Sequence, residues 1–105
     1  MTTVKLYYCG KTLTGIESRG HSGFSSKGRD IVCAAVSALM QALVLGLEGR
    51  EGFECLIDDR VPVIRASWPS SEQERLAILT ETIAESLRVI AQENPRYVKL
   101  STEEK

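Results

Sequence analysis

Two scarce side chains fall in one short stretch of this 105-residue chain: His21, the single histidine, and Cys33, one of three cysteines. A thiolate beside an imidazole is the minimal apparatus for acyl transfer, since the imidazole can take the thiol proton and later protonate a leaving amine. The spacings of Cys9, Cys33 and Cys55 form no CxxC or CxxH pair, so a metal site is not expected and each thiol needs its own account. Taking Asp30 as the N-cap of a following helix puts Cys33 near its third position, where free amides and the helix dipole favour an anion and could supply an oxyanion site. Ser37 and Gln41 follow at i+4 and i+8, a narrow polar line that could point at the loop carrying His21. A cysteine in an apolar helix is also, by ordinary statistics, a small core residue, and two residues at one spacing leave both readings open.

The elements that must position these residues are legible in the patterning. Alternation from Thr2 to Tyr8 predicts a strand with Val4, Leu6 and Tyr8 on one face, and Thr12–Ser18 pairs with it as a hairpin, its alternation blurred by Gly15 and Glu17. Residues 20–29 hold three Gly and three Ser and cannot bury themselves, which predicts a surface loop. From Asp30 to Leu47 the helical period takes over, and the helix is apolar nearly all round, as for one lying between a sheet and either a second helix or a partner subunit. Glu54–Asp58 and Val61–Ala66 predict a second hairpin, with Pro62 favouring an edge position for the later strand. Trp68 reads as a packing anchor. Ser71 and Glu74 spell a capping box before an amphipathic helix with the stripe Leu76, Leu79, Ile83, Leu87 and Ile90, which Asn94-Pro95 stops. Arg96–Leu100 predicts a last strand and residues 101–105 a mobile polar tail. The expected fold is α+β, a small mixed sheet of two hairpins plus a C-terminal strand in the order ββαββαβ with two helices packed on it. Residues 1–100 form one domain.

Composition narrows the function. Thirteen basic against 14 acidic side chains give a net charge of -1, which argues against direct nucleic acid binding. No apolar run has the length of a membrane span and the N-terminus has no signal core, so a cytoplasmic protein without membrane association is expected. The run Gly23 to Asp30 has the G-x-x-x-x-G spacing of a phosphate loop but continues with Arg29 and Asp30 where Lys and Ser or Thr are needed, so no nucleotide or other cofactor is expected.

The runs Gly20-His21-Ser22-Gly23 and Gly28-Arg29-Asp30-Ile31-Val32-Cys33-Ala34-Ala35-Val36-Ser37 resemble the signature of the bacterial ribosomal-processing cysteine proteases, the Prp family. The element order and the closing Asn94-Pro95-Arg96-Tyr97 are similar too. The resemblance implies a cysteine endopeptidase that removes the N-terminal extension of a large-subunit ribosomal protein, the one numbered twenty-seven, during ribosome assembly. It implies Cys33 as nucleophile and His21 as its partner, with Asp30 and Ser37 in supporting roles. It also implies a homodimer, and a loop containing Gly20, Ser22, Gly23 and Gly28 that closes over the peptide. The alternatives are a non-catalytic ribosome-associated peptide-binding module and a thiol sensor, the latter requiring a second cysteine within disulfide reach of Cys33.

Overall fold

A computed structural model describes residues 1–20, 27–58, 60 and 62–105, with 27–30 as backbone only. The elements run β1 (Thr2–Cys9), β2 (Thr12–Arg19), α1 (Lys27–Leu47), β3 (Glu54–Asp58), β4 (Val63–Ser67), a 3-10 turn (Ser70–Glu72), α2 (Gln73–Glu93) and β5 (Val98–Glu104). This is the expected α+β order. The strands form one mixed sheet ordered β3-β4-β2-β1-β5, antiparallel throughout except that β5 runs parallel to β1.

Period-two alternation decides which face of the sheet is covered. Val4, Leu6, Ile16, Ala66 and Val98 are buried on one face beneath both helices, which contribute Val32, Val36, Met40, Leu43 and Leu47 from α1 and Leu76, Ile83, Ala84 and Leu87 from α2. The expected stripe on α2 therefore faces the core. The other face of the sheet carries a charged ladder in which Arg65 grips the fully buried carboxylate of Glu17 at 2.8 and 2.5 Å, with Arg19 at 3.7 Å. The Glu17 bond raises the Arg65 pKa above the usual guanidinium value, against a smaller opposing effect of burial.

The blurred alternation of β2 has a cause in the register. Tyr7 pairs with Gly15 but Tyr8 pairs with Leu13, so Thr14 is an extra residue bulged out of the ladder. Trp68 holds this bulge: its backbone N–H donates to the Thr14 carbonyl at 3.0 Å, and its indole Nε1 donates to the Leu13 carbonyl at 3.0 Å and to Gln73 Oε1 at 2.7 Å.

Several boundaries differ from expectation. α1 begins at Lys27, three residues before Asp30, because Lys27-Gly28-Arg29 continue the helix without adding to the apolar period that marks it in sequence. β4 lies inside the sheet and β3 forms the edge; Pro62 precedes β4, so its missing N–H removes no ladder bond. The capping box does not form: the 3-10 turn takes up Ser71, and α2 starts at Gln73 with no side-chain cap. At the other end Asn94 stops the helix as expected, its N–H and its side-chain amide both donating to the Ile90 carbonyl. Residues 101–104 belong to β5 instead of a tail: Ser101 to Glu104 pair with Lys5 to Tyr8, Lys5 Nζ meets Glu103 at 3.2 Å, and the Lys105 N–H donates to the Tyr8 carbonyl.

Candidate active site

Cys33 sits seven residues into α1, half-buried, on the flank of the helix that faces the start of β1. The expectation that it stands at the helix N-terminus is corrected by the earlier start at Lys27. The unsatisfied amides belong to the first four residues, 27–30, and the dipole effect fades within the first turn, so neither an oxyanion site nor an anion-stabilising field at Cys33 follows from the helix end. By the same shift Asp30 is the fourth residue of the helix and not its N-cap, and Gly28 lies within the helix instead of a loop.

What the structure puts against Cys33 is Thr2. The Thr2 Oγ1 and Cys33 Sγ atoms are 3.0 Å apart. Thr2 shares the inward face of β1 with Val4 and Leu6 and is only 3% exposed. Its backbone is pinned from the side, its N–H donating to the Tyr97 carbonyl at 2.9 Å while it pairs with Val98. No sequence signal singled Thr2 out, although the alternation that turns Val4 and Leu6 inward turns Thr2 inward as well, and a hydroxyl on a core face demands a partner.

Gly20 directly follows β2 and comes close to the backbone of Met1 and Thr2. Its N–H donates to the Pro62 carbonyl at 2.9 Å, its φ is +103°, and a Cβ there would stand 2.4 Å from the Met1 carbonyl oxygen. Both the left-handed backbone and the close approach require glycine. With Thr3 paired to Arg19, Gly20 comes beside the same end of β1 that meets Cys33. His21, Ser22 and Gly23 follow Gly20 and lie outside the described residues. Arg19, which charge alone would offer to an acidic ligand, is engaged with Glu17.

Ser37 and Gln41, the next members of the polar line, line a cavity of about 300 Å³ between α1 and the sheet, with Ser18, Gly20, Ile57, Asp58, Pro62, Val63 and Ile64. Cys33 is not among its lining residues. The strands line the cavity with the apolar Ile57, Val63 and Ile64 and with the polar Ser18 and Asp58, and the helical wall adds a hydroxyl and an amide, a lining able to hold a side chain and to hydrogen-bond a peptide backbone.

All three cysteines are free. Cys9 ends β1, seven residues along the strand from the Thr2 that touches Cys33, and Cys55 lies in β3, with two strands between it and β1. At about 3.3 Å per residue and about 4.8 Å per strand, these positions are on the order of 15 Å or more apart, well beyond the ~7 Å Cα separation a disulfide allows. A sensor built on an intrachain disulfide is thereby excluded.

The protein-family model described as cysteine protease Prp matches residues 1–99. Among solved structures, the chain is similar to an essential ribosomal processing protease, Prp, of S. aureus in complex with a substrate peptide, at 23% identity and a TM-score of 0.85 over 98% of this chain and 100% of that one. The same S. aureus protease with a covalently linked product peptide matches at a TM-score of 0.80 and 23% identity over the same shares. A protein of Streptococcus mutans matches at a TM-score of 0.85 and 24% identity, over 100% of this chain and 96% of that one. No curated protein matches the chain.

Proposed function

The chain belongs to the cysteine protease Prp family, and from that premise we propose that it is an endopeptidase that trims the N-terminal extension of a large-subunit ribosomal protein, with Cys33 as nucleophile and His21 as general base. Its being a cysteine protease already requires one of three thiols to attack, and the surroundings of Cys33 support it over the others. It is half-buried, one turn of helix before the Ser37 that lines the cavity, and within hydrogen-bond reach of a buried hydroxyl, and the strand end that precedes His21 lies near that hydroxyl. Cys9 and Cys55 are exposed on strands, Cys9 beside a turn and Cys55 at the sheet edge.

In the proposed reaction the His21 imidazole takes the Cys33 proton, and the thiolate attacks the scissile carbonyl carbon to give a tetrahedral intermediate. Collapse breaks the C–N bond as the imidazolium protonates the leaving amine, leaving a thioester; water, deprotonated by the same imidazole, then cleaves the thioester and restores the thiol. Ser37 has a supporting role, contacting the peptide from the cavity wall, and Asp30 supports His21. The covalently linked product peptide of the S. aureus relative is consistent with a nucleophilic sulfur. We assign the protein to the cytoplasm, where its substrate is made.

A homodimer is part of the same reading. Ile31, Ala34, Ala38 and Leu45 form one exposed apolar stripe on α1, with Ile31 68% and Leu45 71% exposed, and a second copy is the partner proposed to cover it.

The deciding experiment is incubation with the extended ribosomal protein precursor, read by mass spectrometry. Wild type should yield the shortened product. Cys33→Ala and His21→Ala should each lose on the order of a thousandfold or more in rate while still binding peptide. Cleavage by Cys33→Ala would refute the assignment of the nucleophile, and the absence of a shortened product from wild type would refute the substrate.

A further inference from the structure

Thr2 lies outside the signature that marks the family resemblance, yet among the described residues its hydroxyl is within hydrogen-bond distance of the sulfur. We propose that Thr2 is a positioning residue for the nucleophile, its hydroxyl donating a hydrogen bond to Cys33 Sγ and holding that sulfur in one orientation. The inference rests on Cys33 being the nucleophile.

The geometry supports a built contact. The two atoms are 3.0 Å apart, and Thr2 is 3% exposed despite lying at the beginning of a strand. Its position is fixed three ways: by the N–H bond to Tyr97, by pairing with Val98 in β5, and by the restricted χ1 of a β-branched side chain. The hydroxyl is therefore delivered to one place, and Cys33 is delivered to it by two turns of helix.

The chemistry gives the bond its direction. A hydroxyl has one proton to donate and two lone pairs to accept with, and it rotates to suit its partner. A thiolate only accepts, so once the proton has left for the imidazole the Thr2 hydroxyl donates. Hydrogen bonds to an ionised partner are roughly twice as strong as neutral ones, so the contact strengthens when the sulfur becomes the attacking species. It also restricts the sulfur to one rotamer, which favours the near-attack geometry that an acyl transfer needs.

The two roles a buried threonine can have, filling space and donating a proton, are separable by substitution. Thr2→Val keeps the shape and loses the bond, whereas Thr2→Ser keeps the bond and loses a methyl group. Two readouts apply to each purified full-length variant: kcat and KM on the extended precursor peptide, and the rate at which iodoacetamide labels Cys33 at pH 7 without substrate, followed by peptide mass spectrometry. Thr2→Val should lower kcat about tenfold with KM within about twofold of wild type and slow Cys33 labelling about fivefold, while Thr2→Ser stays within about twofold on both. Equal or faster Cys33 labelling in Thr2→Val, or a Thr2→Ser as impaired as Thr2→Val, overturns the proposal and leaves Thr2 a packing residue. Should Thr2→Val fail to fold by circular dichroism, Thr2→Ala is judged by the same criteria. A Cys33→Ala enzyme that still cleaves would bring down the assignment of the nucleophile instead, a result distinct from any labelling outcome at Thr2.

Discussion

Cys55 lies exposed on the edge strand β3 and Cys33 half-buried against the Thr2 hydroxyl, and under the proposed dyad their reactivities should differ. Although the residue as a whole is exposed, the Cys55 thiol is pushed up from the usual thiol range, first by partial desolvation against its neighbours and then by the nearby Glu48 carboxylate, so it remains protonated at neutral pH. A raised folded-state pKa contributes stability that is present below the unfolded thiol's value and lost as pH rises through the folded one, so the effect belongs to the alkaline side of about pH 8.5. In an alkylation series at pH 7, Cys33 should be labelled about tenfold faster or more than Cys55, with Cys55 catching up only as the solution becomes alkaline. Labelling of Cys55 ahead of Cys33 at neutral pH would contradict both assignments. The scarcity of His and Cys is what singles out His21 and Cys33 as candidates in the sequence. Thr2 was not visible, because threonine is common in strands and its significance depends on which helix residue lies above it.

At the scale of elements, all five strands and both helices were legible, since each carries its period in the side chains it buries. What was lost were the boundaries carried by backbone. β5 continues through Ser101-Thr102-Glu103-Glu104, a run that reads as tail because an edge strand beyond the helices needs no inward apolar residue. Its hold comes from ladder bonds to β1, from the Lys5–Glu103 ion pair, which raises the Lys5 pKa, from the Glu104 carboxylate accepting the Gly10 N–H at 2.7 Å, and from Lys105 over the Tyr7 ring at 5.0 Å. Exposed ion pairs contribute little, so the ladder dominates. A chain ending at Leu100 should lose about 2–4 kcal/mol in urea unfolding, the worth of a few net hydrogen bonds and their side-chain contacts. Unchanged stability would return residues 101–105 to the status of a tail. The start of α1 is hidden in the sequence for a related reason, and its position at Lys27 takes Cys33 away from the helix end, with its free amides, to a site where a side-chain hydroxyl is the partner.

At the scale of the whole molecule, both helices cover one face of the sheet and leave their outer surface with Ile31, Leu45 and, on α2, Ile78 at 68, 71 and 89% exposure. An all-round apolar α1 was expected to lie between two layers. It has the sheet and α2 on its inner sides, and its outer stripe is the part assigned to a second copy. Leu45→Glu, two turns or more from Ser37 and outside the cavity lining, should convert the proposed dimer to a single chain of 11.6 kDa by light scattering. A variant that remains dimeric would move the interface elsewhere, and a monomeric wild type would remove it.

The parallel pairing of β1 with β5 has a kinetic consequence. Thr2 is registered against Val98, so forming that ladder closes a loop containing nearly every residue of the chain, whereas the β1–β2 and β3–β4 hairpins close over a few. Loop entropy grows with length, and contacts of such separation are the slow ones to form. The seat of Thr2 is thus among the last parts of the molecule to set, so a partly folded chain would have its hairpins before its sulfur was held in place. Activity should then lag behind the return of secondary structure on refolding.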